Sequence, residues 1–465
     1  MLKRPRLAIH LTLMVACTLG AAAPSPVLAA EPPKCEWVVH GGGSAHNKTR
    51  GIAFDREGNV FLASECVGDA AFGSSRYRSA GGMDMCLVKL DPAGQVLWAN
   101  GLGGGKTDRA YGVATDKAGN AYVTGHFESA DAVVDGRPLP NAGDYDVFTA
   151  KYAPDGRLLW VRTAGGEGYD YGHGIAVDPH GDVVVAGAVQ GNAAFGDRRV
   201  DGDEKTRAVF CAKYDADGEL LWLRTSSGNL SGSAHGVAVD AVGNIFLGGN
   251  VSGTGTFGKV AVESKSPAAL VVKLTRDGDF SWATVVPGTV GAIYHEIACD
   301  SAGRVWGVGM FKGSLNVAGR TFESDGEKAY DGLIVHLDAA GRPQWAQQLR
   351  GPGTDYCLGV AVDEQGTCFV CGDFTADTVL AGTPLATRGS GDIFLAAFDG
   401  AGNLWWIQQA GGKRNDSAYP IAYKAPGELV IAGSFASLAQ FGEREATSAG
   451  TGDLYAAKWR FIPRR

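Results

Sequence analysis

Three histidines, His173, His235 and His295, occur 62 and 60 residues apart, and each falls just before a short apolar run: GIAVD, GVAVD and EIACD. Equal spacing in equal local text puts side chains at equivalent places in a repeated structure. The same position elsewhere holds Arg50, Tyr111, Leu358 and Tyr419. Neutral imidazoles converging on one point could bind a divalent transition metal. One of them could instead serve as a general base beside a tyrosine acid such as Tyr111 or Tyr419. Tyr169, Tyr171, Tyr294 and Tyr356 lie within a few residues of this position. Three residues ahead of it stand Asn47, Asp108, Asp170, Gly232, Ala292, Asp355 and Asp416. Two readings stay open. Arg50, Asp108, Asp170, Tyr171, Tyr294, Asp355, Tyr356 and Asp416 are candidates for ligand contact. Alternatively the rings pack and the aspartates cap turns through Asx hydrogen bonds.

The elements that must hold these residues are set by a repeat. Trp37, Trp98, Trp160, Trp222, Trp282, Trp345 and Trp406 follow one another at steps of 61, 62, 62, 60, 63 and 61 residues. A steady period of this length over the whole chain signals a repeat architecture. In step with it run Ala53, Ala114, Ala176, Ala238, Ala298, Ala361 and Ala422, each after Ile or Val. These β-branched apolar runs read as buried strands. Turns such as Asp55–Gly58, Asp116–Gly119 and Asp363–Gly366 follow, with Asp bonding the backbone ahead of it and Gly closing the hairpin. A second strand comes next, then roughly twenty variable residues often containing Phe-Gly (Phe72-Gly73, Phe195-Gly196, Phe257-Gly258, Phe441-Gly442), a third strand, a tight turn and the tryptophan strand.

The expectation is an all-β chain: a seven-bladed β-propeller with four antiparallel strands per blade. The first tryptophan strand, at Trp37, has no three strands before it, and the last repeat stops after its third strand near Trp459. The N-terminal strand is therefore expected to close the seventh blade and remove an open edge. The tryptophans are read as packing between blades. The variable connections are expected on one face, where binding residues concentrate.

The text from Gly112 to Gly166 resembles the SBBP family of bacterial β-propeller repeats: a GIAVD-like strand, a Gly-Asn turn, GGxDxFxxKxD and GxxLW. The resemblance spans about residues 36 to 460. It implies the propeller fold and little chemistry, since the family is largely uncharacterised. Two functions remain: a secreted binding or scaffold protein presenting a ligand face at the channel mouth, or an enzyme acting on polysaccharide, a lyase or hydrolase with His and Tyr at that mouth. No nucleophile elbow, metalloprotease helix or phosphate loop is present.

Residues 1–29 read as an export signal: Lys3, Arg4 and Arg6, an apolar stretch from Leu7 to Ala23, and Val27-Leu28-Ala29 before the cleavage point. A lipobox-like Val15-Ala16-Cys17 leaves a lipoprotein anchor as an alternative. The mature chain, 30–465, is expected to be one domain in the periplasm or outside the cell, and monomeric. Its charge is near −11, from 39 Lys+Arg against 50 Asp+Glu once three basic residues are removed. That excludes a basic footprint for nucleic acid. It suits a carbohydrate or protein ligand of the cell envelope. No stretch beyond the signal is long and apolar enough to span a membrane. Nothing in the sequence specifies a cofactor. An exported chain can hold disulfides; the pairs Cys357–Cys371 and Cys66–Cys86 lie on neighbouring expected strands, with free buried thiols as the plain alternative.

Overall fold

A computed structural model describes residues 31–463 except 74 and 326–328. The expected signal 1–29 and Cys17 lie outside the described residues. Among those described, the regular elements are strands, paired antiparallel, with no helix. One unit is typical: Lys48–Phe54 pairs Val60–Phe72, which pairs Ser75–Leu90, which pairs Val96–Gly103. The same order begins again at Asp108–Thr115, Tyr171–Val177, Ser231–Val239, Gly291–Cys299 and Asp355–Val362. From Ser417–Lys424 it continues through Glu428–Phe435 to Asp453–Arg460, and the fourth strand there is Lys34–Gly42, from the other end of the chain. Lys34 lies opposite Arg460, and Gly41 opposite Leu454.

The second and third strands are apolar on both faces, as in Ala121–Phe127 and Asp146–Tyr152, because every residue of each is buried. Strands covered on both sides lose the polar–apolar alternation of a half-exposed sheet. Their turns are built as their residues dictate. Asp55 Oδ1 accepts the Asn59 amide at 2.9 Å, Asp55 Oδ2 accepts the Asn59 side-chain amide at 2.7 Å, and Gly58 takes φ +88°.

The tryptophan column locks each repeat to the next. The indole N–H groups of Trp37, Trp98, Trp160 and Trp345 donate to the carbonyls of Pro92, Pro154, Ala216 and Gly400, at 3.0–3.1 Å. Each acceptor sits in the third-to-fourth-strand turn of the following repeat. The ring lies on that turn's glycine: a Cβ on Gly94 (φ +84°) would come within 3.0 Å of Trp37. Trp406 has no such turn after it and packs on Phe461 instead, 5.9 Å between ring centres.

The variable stretches differ from expectation. They are not open loops but contain a small hairpin that continues the outer strand of the preceding repeat. Ala164 pairs Phe195, Ser226 pairs Phe257, Ala410 pairs Phe441 and Gly41 pairs Phe72. The Phe of each Phe-Gly is the buried anchor, and the Gly takes φ between 56° and 61° to reverse the chain. The hairpin covers only the last two or three residues of each outer strand's edge.

The disulfide expectation is corrected. All eight described cysteines are free. A bulge between Cys357 and Gly359 sets Cys357 opposite Gly372 and Gly359 opposite Cys371, one residue out of the expected register. Cys66 and Cys86 are diagonal neighbours, opposite Asp84 and Ser64, with their thiols in hydrogen-bond contact and unjoined.

Candidate functional site at the inner-strand bulges

Each first strand breaks its register at one place. The breaks fall at Arg50, Tyr111, His173, His235, His295 and Leu358, and at Tyr419-Pro420. A β-bulge leaves one residue unpaired and re-aims its side chain. All of these residues line one cavity of about 260 Å³. The column that the repeat spacing singles out is thus a column of bulges, and the structure brings it together.

Around the cavity the side chains touch in order. The Arg50 guanidinium lies 4.8 Å from the Tyr111 ring centre and 5.7 Å from that of Tyr419. Tyr111 meets His173 edge-on at 4.6 Å. His173 stacks on His235 at 4.7 Å with 14° between planes, and His235 meets His295 at 6.1 Å. Stacked imidazoles keep their ring nitrogens side by side rather than converging, so the expected three-histidine metal site is not formed. Among the described residues no group of three or more His, Cys, Asp or Glu is arranged to hold a metal ion. His173 Nδ1 is instead 3.1 Å from Ser233 Oγ, and His235 Nε2 lies 3.4 Å from Asn250 Oδ1. His295 Nε2 has no hydrogen-bond partner.

Burial sets the electrostatics. It pushes His235 down to about 4, and His295 to about 3 with help from His235 and the cations Arg50 and Lys48. Burial together with His235 and His126 holds His173 well below the usual imidazole range. Burial also raises Tyr419 to about 12. At neutral pH the three imidazoles and the Tyr419 phenol are uncharged, beside the Arg50 guanidinium.

Apart from Arg50, the charged groups come from residues that the repeat column did not reveal. Glu65, 2% exposed, accepts a hydrogen bond from Arg50 Nε and lies 3.8 Å from Arg109 Nε. Lys48 sits 3.5 Å over the Tyr419 ring, and burial lowers it to about 7. Buried Asp373 is raised to about 7, with Lys48 opposing the shift. Buried His126 touches Tyr111, Tyr145 and Tyr171. Glu65, His126, Asn250 and Asp373 share one position on the second strands, a column readable in hindsight as polar residues inside apolar runs. Glu296 was visible as the acid in a column otherwise holding Gly51, Gly112, Gly174, Gly236, Gly359 and Pro420. It lines the cavity, and burial raises it to about 8.

Several sequence candidates belong elsewhere. Asp108, Asp170, Asp355 and Asp416 are fully buried. Asp170 accepts the amides of Gly166 (2.7 Å) and Gln190 (2.9 Å), and Asp416 those of Gly412 (2.6 Å) and Ala436 (3.0 Å). Asp108 holds Gly104, Glu128 and Ser129 in the same way, and Asp355 takes the Thr378 hydroxyl. The oxygens of Asp108, Asp170 and Asp416 are spent on backbone amides, so these three are caps; Asp355 keeps one buried oxygen, Oδ1, without a partner. Tyr294 is fully buried in the apolar core. Tyr356 is half-buried on the strand opposite Asp373, outside the cavity lining.

A repeated four-stranded antiparallel unit with its site on the innermost strands defines a β-propeller repeat protein. Residues 100–126, the segment carrying Tyr111 and His126, match the family model of the SBBP "Beta-propeller repeat". An uncharacterized WD repeat-containing protein of Acanthamoeba polyphaga mimivirus is 23% identical over 365 residues, 62% of this chain and 26% of that one. The regulatory protein FlaEY of Caulobacter vibrioides is 30% identical over 139 residues, 29% of this chain and 15% of that one. The chain thus spans about a quarter or less of the curated relatives it matches. A solved structure of a protein of unknown function from Dyadobacter fermentans has 10% identity and TM-score 0.39, covering 92% of this chain and 99% of that one. A gluconolactonase from Xanthomonas campestris has 12% identity and TM-score 0.30, covering 83% and 91%.

Proposed function

We propose that this chain is an exported seven-bladed β-propeller, one domain over residues 30–465, closed by its N-terminal strand, that binds an envelope ligand at its channel mouth. The closure reading is supported by the pairing of Lys34–Gly42 with Asp453–Arg460 and by the contact of inner strand Ser417–Lys424 with inner strand Lys48–Phe54. The observation that carries the binding reading is the bulge column: Arg50, Tyr111, His173, His235, His295 and Tyr419, from different repeats, all face one cavity. Re-aiming six ring-shaped or cationic side chains into one space is costly unless they meet something there.

The polysaccharide lyase or hydrolase reading is weaker on chemical grounds. A general base works best with a pKa near the working pH. Imidazoles held at about 3 to 4 are poor bases, and a phenol raised to about 12 is a reluctant acid at neutral pH. The same groups are well suited as neutral hydrogen-bonding and stacking surfaces. The export reading rests on residues 1–29, and the acidic balance of the mature chain disfavours nucleic acid.

The test is a thermal-shift panel of simple sugars, sugar acids, amines and short peptides on the purified mature protein. Stabilising compounds should lose their effect in His235→Leu, which keeps a packed side chain and removes the polar ring. If every stabilising compound acts equally on this variant, the channel mouth is not the site. Release of unsaturated sugar ends from a polysaccharide would restore the enzyme reading.

A further inference from the structure

Aromatic side chains continue beyond the cavity lining. From His173 a continuous run of aromatic rings leads away from the mouth. Tyr171 stacks on His173 at 5.5 Å with 13° between planes. Tyr145 lies 5.7 Å from Tyr171, and Tyr169 lies 5.3 Å from Tyr145. Tyr171 and Tyr145 are half-buried, and Tyr169 at the outer end is 38% exposed. Tyr169 is also one wall of a groove of about 780 Å³ that includes Gln190, Asn192, Glu204 and Asp144. Gln190 Oε1 there is buried with no hydrogen-bond partner.

The inner end carries an uncompensated positive charge. One buried carboxylate, Glu65, faces two guanidiniums, Arg50 and Arg109. Arg109 Nε has no hydrogen-bond partner, and its side chain is 33% exposed. A second carboxylate from a ligand would complete the arrangement, because a guanidinium fork matches a carboxylate. The outer groove has the opposite character. Asp144, Glu167 and Glu204 outnumber Arg199 there, so it repels further anions and offers acceptors for hydroxyl donors.

Resting on the channel-mouth reading, we propose that the ligand is an oligosaccharide bearing a single acidic sugar. Its carboxylate sits at Arg109 and Arg50. Its neutral pyranose rings lie along Tyr145 and Tyr169, beyond Tyr171, whose ring already meets His173 and the Arg207 guanidinium 5.1 Å away, and its hydroxyls donate to Gln190 and the groove carboxylates. Rings with an apolar face and a polar rim suit this lane, since tyrosine offers an apolar body with a polar tip. A polyanion meets the groove carboxylates and is disfavoured, as is a plain apolar peptide.

The test uses the mature protein on a glycan array carrying neutral, mono-uronate and poly-uronate oligosaccharides of varied stereochemistry, with affinities of the bound members measured by titration calorimetry. The mono-uronate members should bind about tenfold more tightly than their neutral parents, equal to ~1.4 kcal/mol. Arg109→Gln should erase that preference and leave neutral binding in place. Tyr169→Ala should weaken the longer mono-uronates about tenfold without affecting a free uronate monosaccharide, and Tyr169→Phe should restore them. No binding on the array, equal binding of neutral members, or stronger binding of poly-uronates overturns the proposal. Uronate binding that ignores Tyr169 in every length overturns the lane and leaves the mouth standing. The mouth itself fails separately, when His235→Leu changes nothing.

Discussion

The two ends of the inner strands behave differently. At one end successive repeats turn with the same chemistry: Asp55, Asp116, Asp178, Asp240, Asp300 and Asp363 each accept backbone amides two and four residues on, or four on alone, before a left-handed glycine. At the other end the repeats share a backbone bulge, but its side chain changes from Arg to Tyr to His to Leu. Constant chemistry with constant geometry marks a task every repeat must perform for itself. Constant geometry with changing chemistry marks a frame on which one composite surface is assembled. Substitutions at the turn end should therefore cost stability and spare binding, and substitutions at the bulge end should do the reverse.

The largest expected effect lies where the two chain ends meet. Deleting residues 30–43 removes the strand paired with Asp453–Arg460 and leaves Arg460 and Lys458 without Glu36. An exposed edge and a lost strand should lower the melting temperature by roughly 10 °C or more. A truncated protein that melts with the parent in scanning calorimetry disproves closure by this strand.

Next comes the turn end. Asp178, 4% exposed, accepts Lys213 Nζ at 2.7 Å and the amides of His180 and Asp182. Asp178→Ala leaves the buried Lys213 ammonium with the partly exposed Asp182, 3.1 Å away, as its remaining carboxylate and removes the acceptor of two backbone amides, a loss of about 1.5–3 kcal/mol, the range for hydrogen bonds to charged groups. Denaturant titration should show that loss, while affinity per folded molecule stays the same. Reduced affinity at full stability would mean the two ends are not separate in function.

At the bulge end, His235→Ala removes one ring from a stack. Its stability cost should be only about 1 kcal/mol, against at least a tenfold loss of affinity for whichever compound the wild type binds. Thermal melts paired with titration calorimetry measure both. Lost stability with affinity retained would return the histidines to a packing role.

This contrast also explains what the sequence disclosed. The tryptophan period, the Asp–Gly turns and the strand order are local signals repeated many times, and each was legible. The bulges were not, because a bulge is a relation between two strands and leaves no local residue preference. Missing the bulge at Leu358 shifted the register by one and produced the Cys357–Cys371 expectation. The histidine column was visible, but ring stacking depends on where neighbouring backbones stand, so convergence on a metal did not follow from equivalence. Glu65, His126 and Asp373 were hidden inside runs that read as core. The twenty variable residues looked like loops because short two- to four-residue strands carry almost no periodic signal.

The smallest expected effect tests the one position where the glycine column admits an acid. Glu296 Oε1 accepts the Ile297 amide at 3.0 Å and occupies the space that a Cβ on Gly236 would need. Burial raises its carboxyl to about 8, against about 4.3 for an unperturbed glutamate. The fold therefore prefers the protonated form. The associated stability is complete below about pH 4.3 and is lost as pH rises through about 8. Glu296→Gln copies the neutral form at every pH. Both proteins should melt alike near pH 4, and the variant should be more stable by about 1–3 kcal/mol near pH 9. Melting curves recorded across this range decide the matter: parallel profiles would mean that Glu296 reaches water and carries its charge freely. A gap that widens from about pH 4.3 and levels off above about pH 8 would show that the cavity wall is dry at the acid. The bulge end would then tolerate a functional-type residue at a measurable cost to the fold, whereas the turn end carries only residues that stabilise it.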